Sequence, residues 1–163
     1  MTYFPDLSPY FFLGGLDRVT VPAPEFSREV PIVVRRLNVG WLDDIHPHAT
    51  GPVPEETLEA LRSIIAHQKI NMTRGVHRCE FCPADSPPPT HVDAEGQTRP
   101  VAIGEIRIPA ADGSLYAAPM LIGHYVEAHR YLPPAGFLRA IDDYFRTSRD
   151  NLALGWIYWE QSS

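Results

Sequence analysis

The sequence predicts a single α+β domain, residues 1–163, that is rich in loops and built from short strands and helices. The chain of 163 residues is long enough to bury its own hydrophobic core. Its hydrophobic fraction of 44% and charged fraction of 21% are ordinary for a globular protein. Proline is the exception, because 17 residues are proline, roughly twice the usual frequency. This excess favours short elements and argues against a bundle of long helices.

The first half of the chain predicts one strand and one helix. Residues 1–30 are rich in proline, glycine and aromatic residues and are expected to be irregular, with a turn at residues 13–15. The β-branched run at residues 32–34 indicates a strand that ends near residues 38–40. Pro54 suits the first turn of a helix, and apolar residues follow it at helical spacing. These residues are Leu58, Leu61, Ile64 and Ile65.

The second half predicts a hairpin followed by two helices. A strand at residues 101–108, a turn at 112–113 and a return strand at 115–117 would form the hairpin. A helix is expected from residue 119 to about residue 129, and a strongly amphipathic helix follows it. The apolar face of that last helix carries Phe137, Leu138, Ile141, Tyr144 and Phe145. Residues 152–160 indicate a buried strand.

Residues 83–100 predict an exposed, proline-rich loop. Five of these 18 residues are proline, and most of the others are polar. A short strand is expected just before the loop, at residues 76–81. Long exposed loops often carry function, so this one is a candidate for a mobile or partner-facing segment.

Charge and composition exclude two classes of partner. The net charge of −6 and the isoelectric point near 5.6 argue against a nucleic-acid-binding protein, which needs a dense basic surface. No stretch approaches the roughly 18 apolar residues of a membrane span. The first ten residues also lack the basic and apolar regions of a secretory signal. We therefore expect a soluble, cytoplasmic protein that binds neither nucleic acid nor membrane.

The two cysteines of the chain predict a metal site. Cys79 and Cys82 form a C-x2-C pair, and two thiols at this spacing can bind one ion when the chain turns between them. Pro83 helps to hold such a turn. A cytoplasmic location keeps thiols reduced, which makes a structural disulfide less expected than a metal or redox role.

A histidine pair downstream supplies the remaining ligands. His124 and His129 lie near the end of a predicted helix that follows a hairpin, which is the order of parts in a zinc finger. The separation differs, because 41 residues lie between Cys82 and His124 where roughly a dozen are usual. On an ideal helix the two histidines also project about 140° apart. Both can reach one ion only if the last turn of the helix loosens.

Several alternatives remain open at this point. His77 could replace one helix histidine, because residues two apart in a strand share a face and His77 would then point with Cys79. His129 could instead be a core histidine bonded to the backbone, and His124 a surface residue. The cysteines could be a redox pair or two buried thiols, although Pro83 follows where a redox pair needs a helix.

Carboxylates and other histidines offer weaker candidates for chemistry. Glu105 or Glu80 could act as a general base if the metal is catalytic. The simpler interpretation of Glu105 is a surface pair with Arg107 on a solvated sheet face. The loop at residues 43–48 holds two aspartates and two histidines, and it is more simply a solvated loop than an acid-base site.

Several sequence blocks resemble the signatures of an uncharacterised family of small bacterial proteins. The blocks are MTYFPDLSPY, NVGWLD, RGVHRCEFCP, GEIRIP and YAAPMLIGHYVEAHRYLPP. The resemblance extends from the N-terminus to about residue 137 and implies no named activity. It implies that five residues belong to recurring motifs, namely His77, Cys79, Cys82, His124 and His129.

Together these features predict a zinc-binding protein with a structural Cys2His2 site drawn from those five residues. Zinc suits mixed thiolate and imidazole ligands, and iron is the second choice. We expect the protein to bind another protein or a small ligand through its aromatic N-terminal segment or its proline-rich loop. The alternative is a zinc hydrolase or lyase in which water replaces one histidine.

Overall fold

Short strands and three helices make up the fold in a computed structural model that describes residues 2–21 and 26–157. The strands are β1 (Leu16–Val19), β2 (Arg28–Pro31), β3 (Arg36–Asn38), β4 (Thr90–Val92), β5 (Thr98–Pro100), β6 (Glu105–Pro109) and β7 (Leu115–Pro119). The helices are α1 (Glu55–His67), α2 (Ile122–His129) and α3 (Ala135–Thr147). Single 3-10 turns occupy Phe12–Gly15, Arg149–Asn151 and Gly155–Ile157. This mixture of elements confirms the predicted α+β class.

A three-stranded sheet forms the centre of the molecule. Its middle strand, β7, is buried at every residue and pairs parallel to β3 and antiparallel to β6. Single bridges widen this sheet on both sides. Pro9 pairs with Leu37 of β3, and Ile70 pairs with both Glu105 of β6 and Val19 of β1. The antiparallel β1-β2 hairpin is thereby joined to the central sheet through Ile70.

One face of the central sheet carries the helices. Tyr116 of β7 meets Phe137 of α3 edge to face, with ring centroids 5.4 Å apart. Ile108 lies opposite Tyr116 in the β6-β7 register and is completely buried on the same face. The apolar sides of α1 and α3 pack together here, as their periodicity predicts. The three predicted helices and the β6-β7 hairpin are thus confirmed, although α2 begins at Ile122 and not at residue 119, which belongs to β7, and β6 begins at Glu105 and not at residue 101.

The opposite face of β6 carries a buried group of charges. Arg107 is 0% exposed, and its Nε and Nη2 atoms each donate to a carboxylate oxygen of Asp17 at 2.7 Å. Its Nη1 atom lies 2.8 Å from Oε2 of Glu105. Arg36 donates to Asp17 at 3.1 Å, and the hydroxyl of Tyr10 donates to Glu105 at 2.7 Å. Buried charges persist only when they are paired and hydrogen-bonded, as all of these are.

The expectation of a solvated Glu105–Arg107 pair is therefore wrong. Residues 1–30 were expected to be irregular, but within the described part they form the β1-β2 hairpin and an extended segment bridged to β3. These pieces cover the face of β6 on which Glu105 and Arg107 lie. Burial of that face follows from long-range pairing, which local propensity does not encode.

Three other local expectations differ from the structure. The β-branched run at residues 32–34 lies between β2 and β3 and in neither strand, because the register with β7 starts at Arg36. Residues 83–100 are mostly exposed, as expected, but they contain the β4-β5 hairpin, which was not predicted. Residues 152–157 form turns and a 3-10 helix where a strand was expected, and residues 158–160 lie outside the described part.

Among the described residues, no helix combines the length and the apolar character that crossing a bilayer requires.

The Asp17→Asn substitution tests the buried charges. It removes one negative charge but keeps the side-chain volume, so Arg107 loses its bidentate partner inside the protein. We expect the free energy of unfolding in urea to fall by about 3 to 5 kcal/mol. Asp143→Asn is the matched control, because Asp143 pairs with Arg146 at the surface with a side chain that is 60% exposed. The control should change stability by less than about 1 kcal/mol, and equal effects of the two variants would contradict the prediction.

Candidate metal centre

Cys79 and Cys82 lie in and beside a turn that shortly follows Val76. The predicted strand at residues 76–81 is reduced to a single bridge between Val76 and Ala102. The chain then turns at residues 80–81, which brings the two thiols to one side of the turn. Burial raises the pKa of the Cys79 thiol, and the backbone N–H groups of Phe81 and Cys82 oppose that rise. Such N–H groups stabilise a negatively charged sulfur, which is the form that binds a cation.

His124 and His129 come from α2, whose last turn is wider than that of an ideal α-helix. The N–H of Arg130 bonds to the carbonyl of Tyr125, five residues back, and the N–H of Tyr131 bonds to the same carbonyl at 3.1 Å. An α-helix would pair each N–H with the fourth residue back. Arg130 ends the helix in the left-handed conformation, with φ of 55°. Because the last turn is loosened, the two histidines are not held about 140° apart as on an ideal helix. Their Nε2 atoms lie 3.2 Å from each other.

The four side chains converge on one point. Their ligand atoms all lie within 4.8 Å of one another. Nε2 of His129 is 3.2 Å from Sγ of Cys79 and 3.3 Å from Sγ of Cys82, and Nε2 of His124 is 3.4 Å from Sγ of Cys82. A tetrahedral zinc ion would hold sulfur and nitrogen ligands about 3.6 Å apart and two nitrogen ligands about 3.3 Å apart. The cluster is thus a Cys2His2 group that could hold a metal ion.

Hydrogen bonds alone do not account for this arrangement. Nε2 of His129 faces two sulfurs and the Nε2 of His124 at the same time. A neutral imidazole carries one proton on one of its nitrogens, so that atom can serve only one of the three contacts as a donor. The other contacts bring lone pairs together, and a cation at the centre would convert this repulsion into attraction.

The electrostatics of the cluster suit metal ligands better than a redox pair. Burial raises the pKa of the Cys79 thiol to about 11, despite the opposing backbone N–H groups. A reactive redox cysteine needs a lowered pKa. Burial lowers the pKa of His124 and of His129, and the neighbouring His129 and His48 respectively lower them further. Neutral imidazole is the form that ligates metals.

An aromatic layer covers one side of the cluster. The Phe81 ring, between the two cysteines in sequence, lies 5.4 Å from the His129 ring and 5.5 Å from the Tyr125 ring. His48 packs on the same Phe81 ring at 5.1 Å. A hydrophobic shell of this kind limits water access and orients the ligands.

His77 lies outside the cluster. Its backbone N–H donates to the carbonyl of Val101 at 2.8 Å, and its buried side chain lines a cavity near Tyr10 and Glu105. The rule that residues two apart share a face holds only within a strand, and the strand pairing stops at Val76. The structure therefore does not bring His77 and Cys79 together as ligands of one ion.

The other polar candidates divide between the surface and the interior. In the loop at residues 43–48, the His46 ring lies 2.9 Å from Asp43 and is exposed, as expected for a solvated loop. The buried group around Arg107, by contrast, was not found from the sequence. The available signal was Asp17, a charged residue that shares the inward face of β1 with the buried Val19.

Substitution of single ligands tests the composition of the centre. We expect His129→Asn to lower the affinity for Co2+ or Zn2+ at least about 100-fold, because loss of a direct ligand should exceed the 10- to 100-fold cost of losing a supporting residue. His77→Asn should keep the metal content of the parent chain. The measurement is competition against a coloured chelator, with the melting temperature recorded for each variant. A folded His77→Asn protein without metal would restore His77 as a ligand.

Comparison with known proteins gave one match. A family model described as "Domain of unknown function (DUF7919)" matches residues 2–142, a range that includes all four residues of the cluster. Searches of curated proteins and of solved structures returned no match.

Proposed function

The chain belongs to the family described as "Domain of unknown function (DUF7919)", so we propose its function from the geometry of its own side chains. We propose that the protein binds one Zn2+ through Cys79, Cys82, His124 and His129 and that this ion has a structural role. The observation that carries the proposal is the convergence of four ligand atoms to within 4.8 Å of one another. Zinc is the ion that best fits two thiolates and two imidazoles in a tetrahedral set.

The number of ligands favours a structural ion over a catalytic one. Structural zinc sites are closed by four protein ligands, whereas catalytic sites keep one position for water or substrate. All four corners are supplied by side chains here, and His129 makes two of the three close nitrogen–sulfur contacts. A hydrolase or lyase would require one of these histidines to leave the ion.

The proposed ion would connect two distant parts of the chain. Cys82 and His124 are 42 positions apart, and the turn at residues 79–82 follows a short segment that is joined to residues 101–102 by the Val76 bridge and the His77 N–H. Because a metal site absent from the unfolded chain contributes its binding energy to folding, zinc would secure this turn against α2.

We further propose that the folded domain acts by binding a protein or a small molecule. Its aromatic N-terminal segment and its segment at residues 83–100 are the surfaces we assign to this role. The aromatic residues Phe11 and Phe12 are 84% and 53% exposed, and exposed aromatic residues are enriched at recognition surfaces. The net charge of −6 disfavours nucleic acid as the partner. Two thiolate ligands fit a reducing compartment, which supports a cytoplasmic location.

Removal of the metal tests the structural role. Elemental analysis of the purified protein should find one zinc per chain. Chelation should then abolish the cooperative melting transition or lower its midpoint strongly, because the ion stabilises only the folded state. Circular dichroism and tryptophan fluorescence report the result, and re-addition of Zn2+ should restore the transition.

Two results would contradict the proposal in different ways. A chain that contains no metal would remove the zinc site altogether. A chain that loses its zinc without any change in stability would favour an ion with an open coordination position, and hence the alternative of a zinc enzyme.

A further inference from the structure

A second concave site lies on the other side of the sheet from the helices. This cavity of about 370 Å³ lies between the N-terminal segment, β3 and the start of β6. Its volume is within the usual range for sites that bind small molecules. Its lining includes Phe4, Tyr10, Phe12, Asn38, Trp41 and Glu105. A larger cavity of about 700 Å³ lies beside α3, but no polar atom that is buried without a partner belongs to the described residues that line it.

Four aromatic rings form a continuous wall of the cavity. Phe4 meets Trp41 edge to face at 5.9 Å, and Trp41 lies 6.3 Å from Tyr10. Tyr10 is followed by Phe12 at 6.4 Å. The Trp41 indole is held in place because its N–H donates to the carbonyl of Ala117 in the central strand at 3.0 Å. A wall of aromatic faces attracts apolar groups and also cations.

The polar groups at the cavity are mainly hydrogen-bond acceptors. Asn38 is 1% exposed, and its amide nitrogen is fully used by the backbone and side chain of residues 8–9. Its Oδ1 atom, however, has no hydrogen-bond donor among residues 2–21 and 26–157. Buried polar atoms without partners are rare and need an explanation. That oxygen is itself closed off from solvent, so it is a polar atom behind the cavity wall and not a contact for a ligand.

Glu105 supplies an acceptor with unused capacity. Oε2 of this carboxylate receives Tyr10 at 2.7 Å and Arg107 at 2.8 Å. Oε1 has one contact, with the same Tyr10 hydroxyl at 2.9 Å. The single proton of that hydroxyl cannot saturate both oxygens, since an ionised carboxylate has about four acceptor positions. Oε1 can therefore accept a further donor from the cavity.

The charges around the cavity permit a cation. Arg36 and Arg107 contribute two positive charges, and Asp17 and Glu105 contribute two negative charges, so the buried group is formally neutral. The whole chain carries −6. Its field therefore raises the local concentration of cations and lowers that of anions.

From these features we infer that the cavity binds a small aromatic amine, with the ring against the aromatic wall and the protonated amino group donating to Glu105. The inference specifies the binding role proposed above, and it does not depend on zinc. An aromatic ring suits the wall of Phe4, Trp41 and Phe12, and an ammonium group provides a charged donor for Oε1 of Glu105.

Three small probes of similar size test the chemistry. These are 2-phenylethylamine, 2-phenylethanol and phenylacetate, which differ in charge at neutral pH. Titration of the intact, zinc-loaded chain followed by 1H–15N NMR should show saturable shifts for the amine at the Trp41 indole N–H and at the backbone of residues 104–105. The alcohol should bind about tenfold more weakly, and phenylacetate should not bind there. Equal binding of all three probes, or none by the amine, would overturn the inference.

Two variants locate the contacts. Glu105→Gln keeps the side-chain volume and should weaken the amine about tenfold. Because this change also removes a partner of Arg107, its result is used only if the variant melts cooperatively. Phe12→Ala alters an aromatic residue that is half exposed, so it should leave the fold intact while weakening the amine several-fold.

Phe26→Ala is the matched control, because Phe26 is 81% exposed and does not line the cavity. Unchanged binding in Phe26→Ala together with weaker binding in Phe12→Ala supports the site. Equal binding in Phe12→Ala and the parent chain overturns it. If the zinc-loaded, folded chain does not bind the amine, this inference alone is refuted. If the purified chain binds the amine but contains no zinc, only the proposed metal site is refuted.

Discussion

The guanidinium group of Arg107 joins two parts of the chain that lie 90 positions apart. Two of its nitrogen atoms donate to both oxygens of Asp17, and the third contacts Glu105 and the carbonyl of Ile106. Burial alone would lower the pKa of Arg107, but the carboxylates of Glu105 and Asp17 raise it above its ordinary value. The charge is therefore retained inside the protein, and it holds the β1-β2 hairpin against β6. Both the covered sheet face and the aromatic cavity depend on this attachment.

Tyr10 extends the same interaction toward the cavity. The guanidinium carbon atoms of Arg36 and Arg107 both lie over its ring, 4.7 and 4.8 Å from the ring centroid. Burial raises the pKa of its hydroxyl group, so that it stays protonated and donates to Glu105. Tyr10 is thus held both at its ring and at its hydroxyl group. A residue held in this way provides a rigid wall, and rigid walls lower the entropic cost of binding a ligand.

The segment between Val76 and Cys82 connects the two candidate sites. His77 lines the aromatic cavity, while Cys79, two residues later, belongs to the Cys/His cluster. Between the bridge at Val76 and the turn at residues 80–81, the described residues form no strand, and the His77 N–H bond to the Val101 carbonyl holds the segment in place. An ion in the cluster would therefore restrain one wall of the cavity from a few residues away. This is a physical route by which a structural ion could support a binding role.

Local patterns predicted the parts of the structure that depend on local physics. The 3.6-residue periodicity of α1 and α3 identified both helices, and the Asp112-Gly113 turn identified the β6-β7 hairpin. The spacing of the cysteine pair and of the histidine pair identified the candidate ligands. The loosened end of α2, which lets both histidines converge, was stated as a requirement for a shared ion but was not itself predicted. The burial of Glu105 and Arg107 could not be predicted, because alternation in one strand does not reveal what covers each face.

The separation of Asp17 from Arg107 also bears on how the chain folds during its synthesis. Ribosomes add roughly 5 to 20 residues per second, so the 90 residues between the two partners take about 5 to 18 seconds to appear. During that interval the buried carboxylate of Asp17 has no guanidinium from β6, and Phe11 and Phe12 emerge before the sheet that they border. The segment around Asp17 therefore leaves the ribosome well before β6 and reaches its final position late. Until β6 is made, the aromatic residues Phe11 and Phe12 would lack the sheet that they border, and transiently exposed hydrophobic surface of this kind is what chaperones protect.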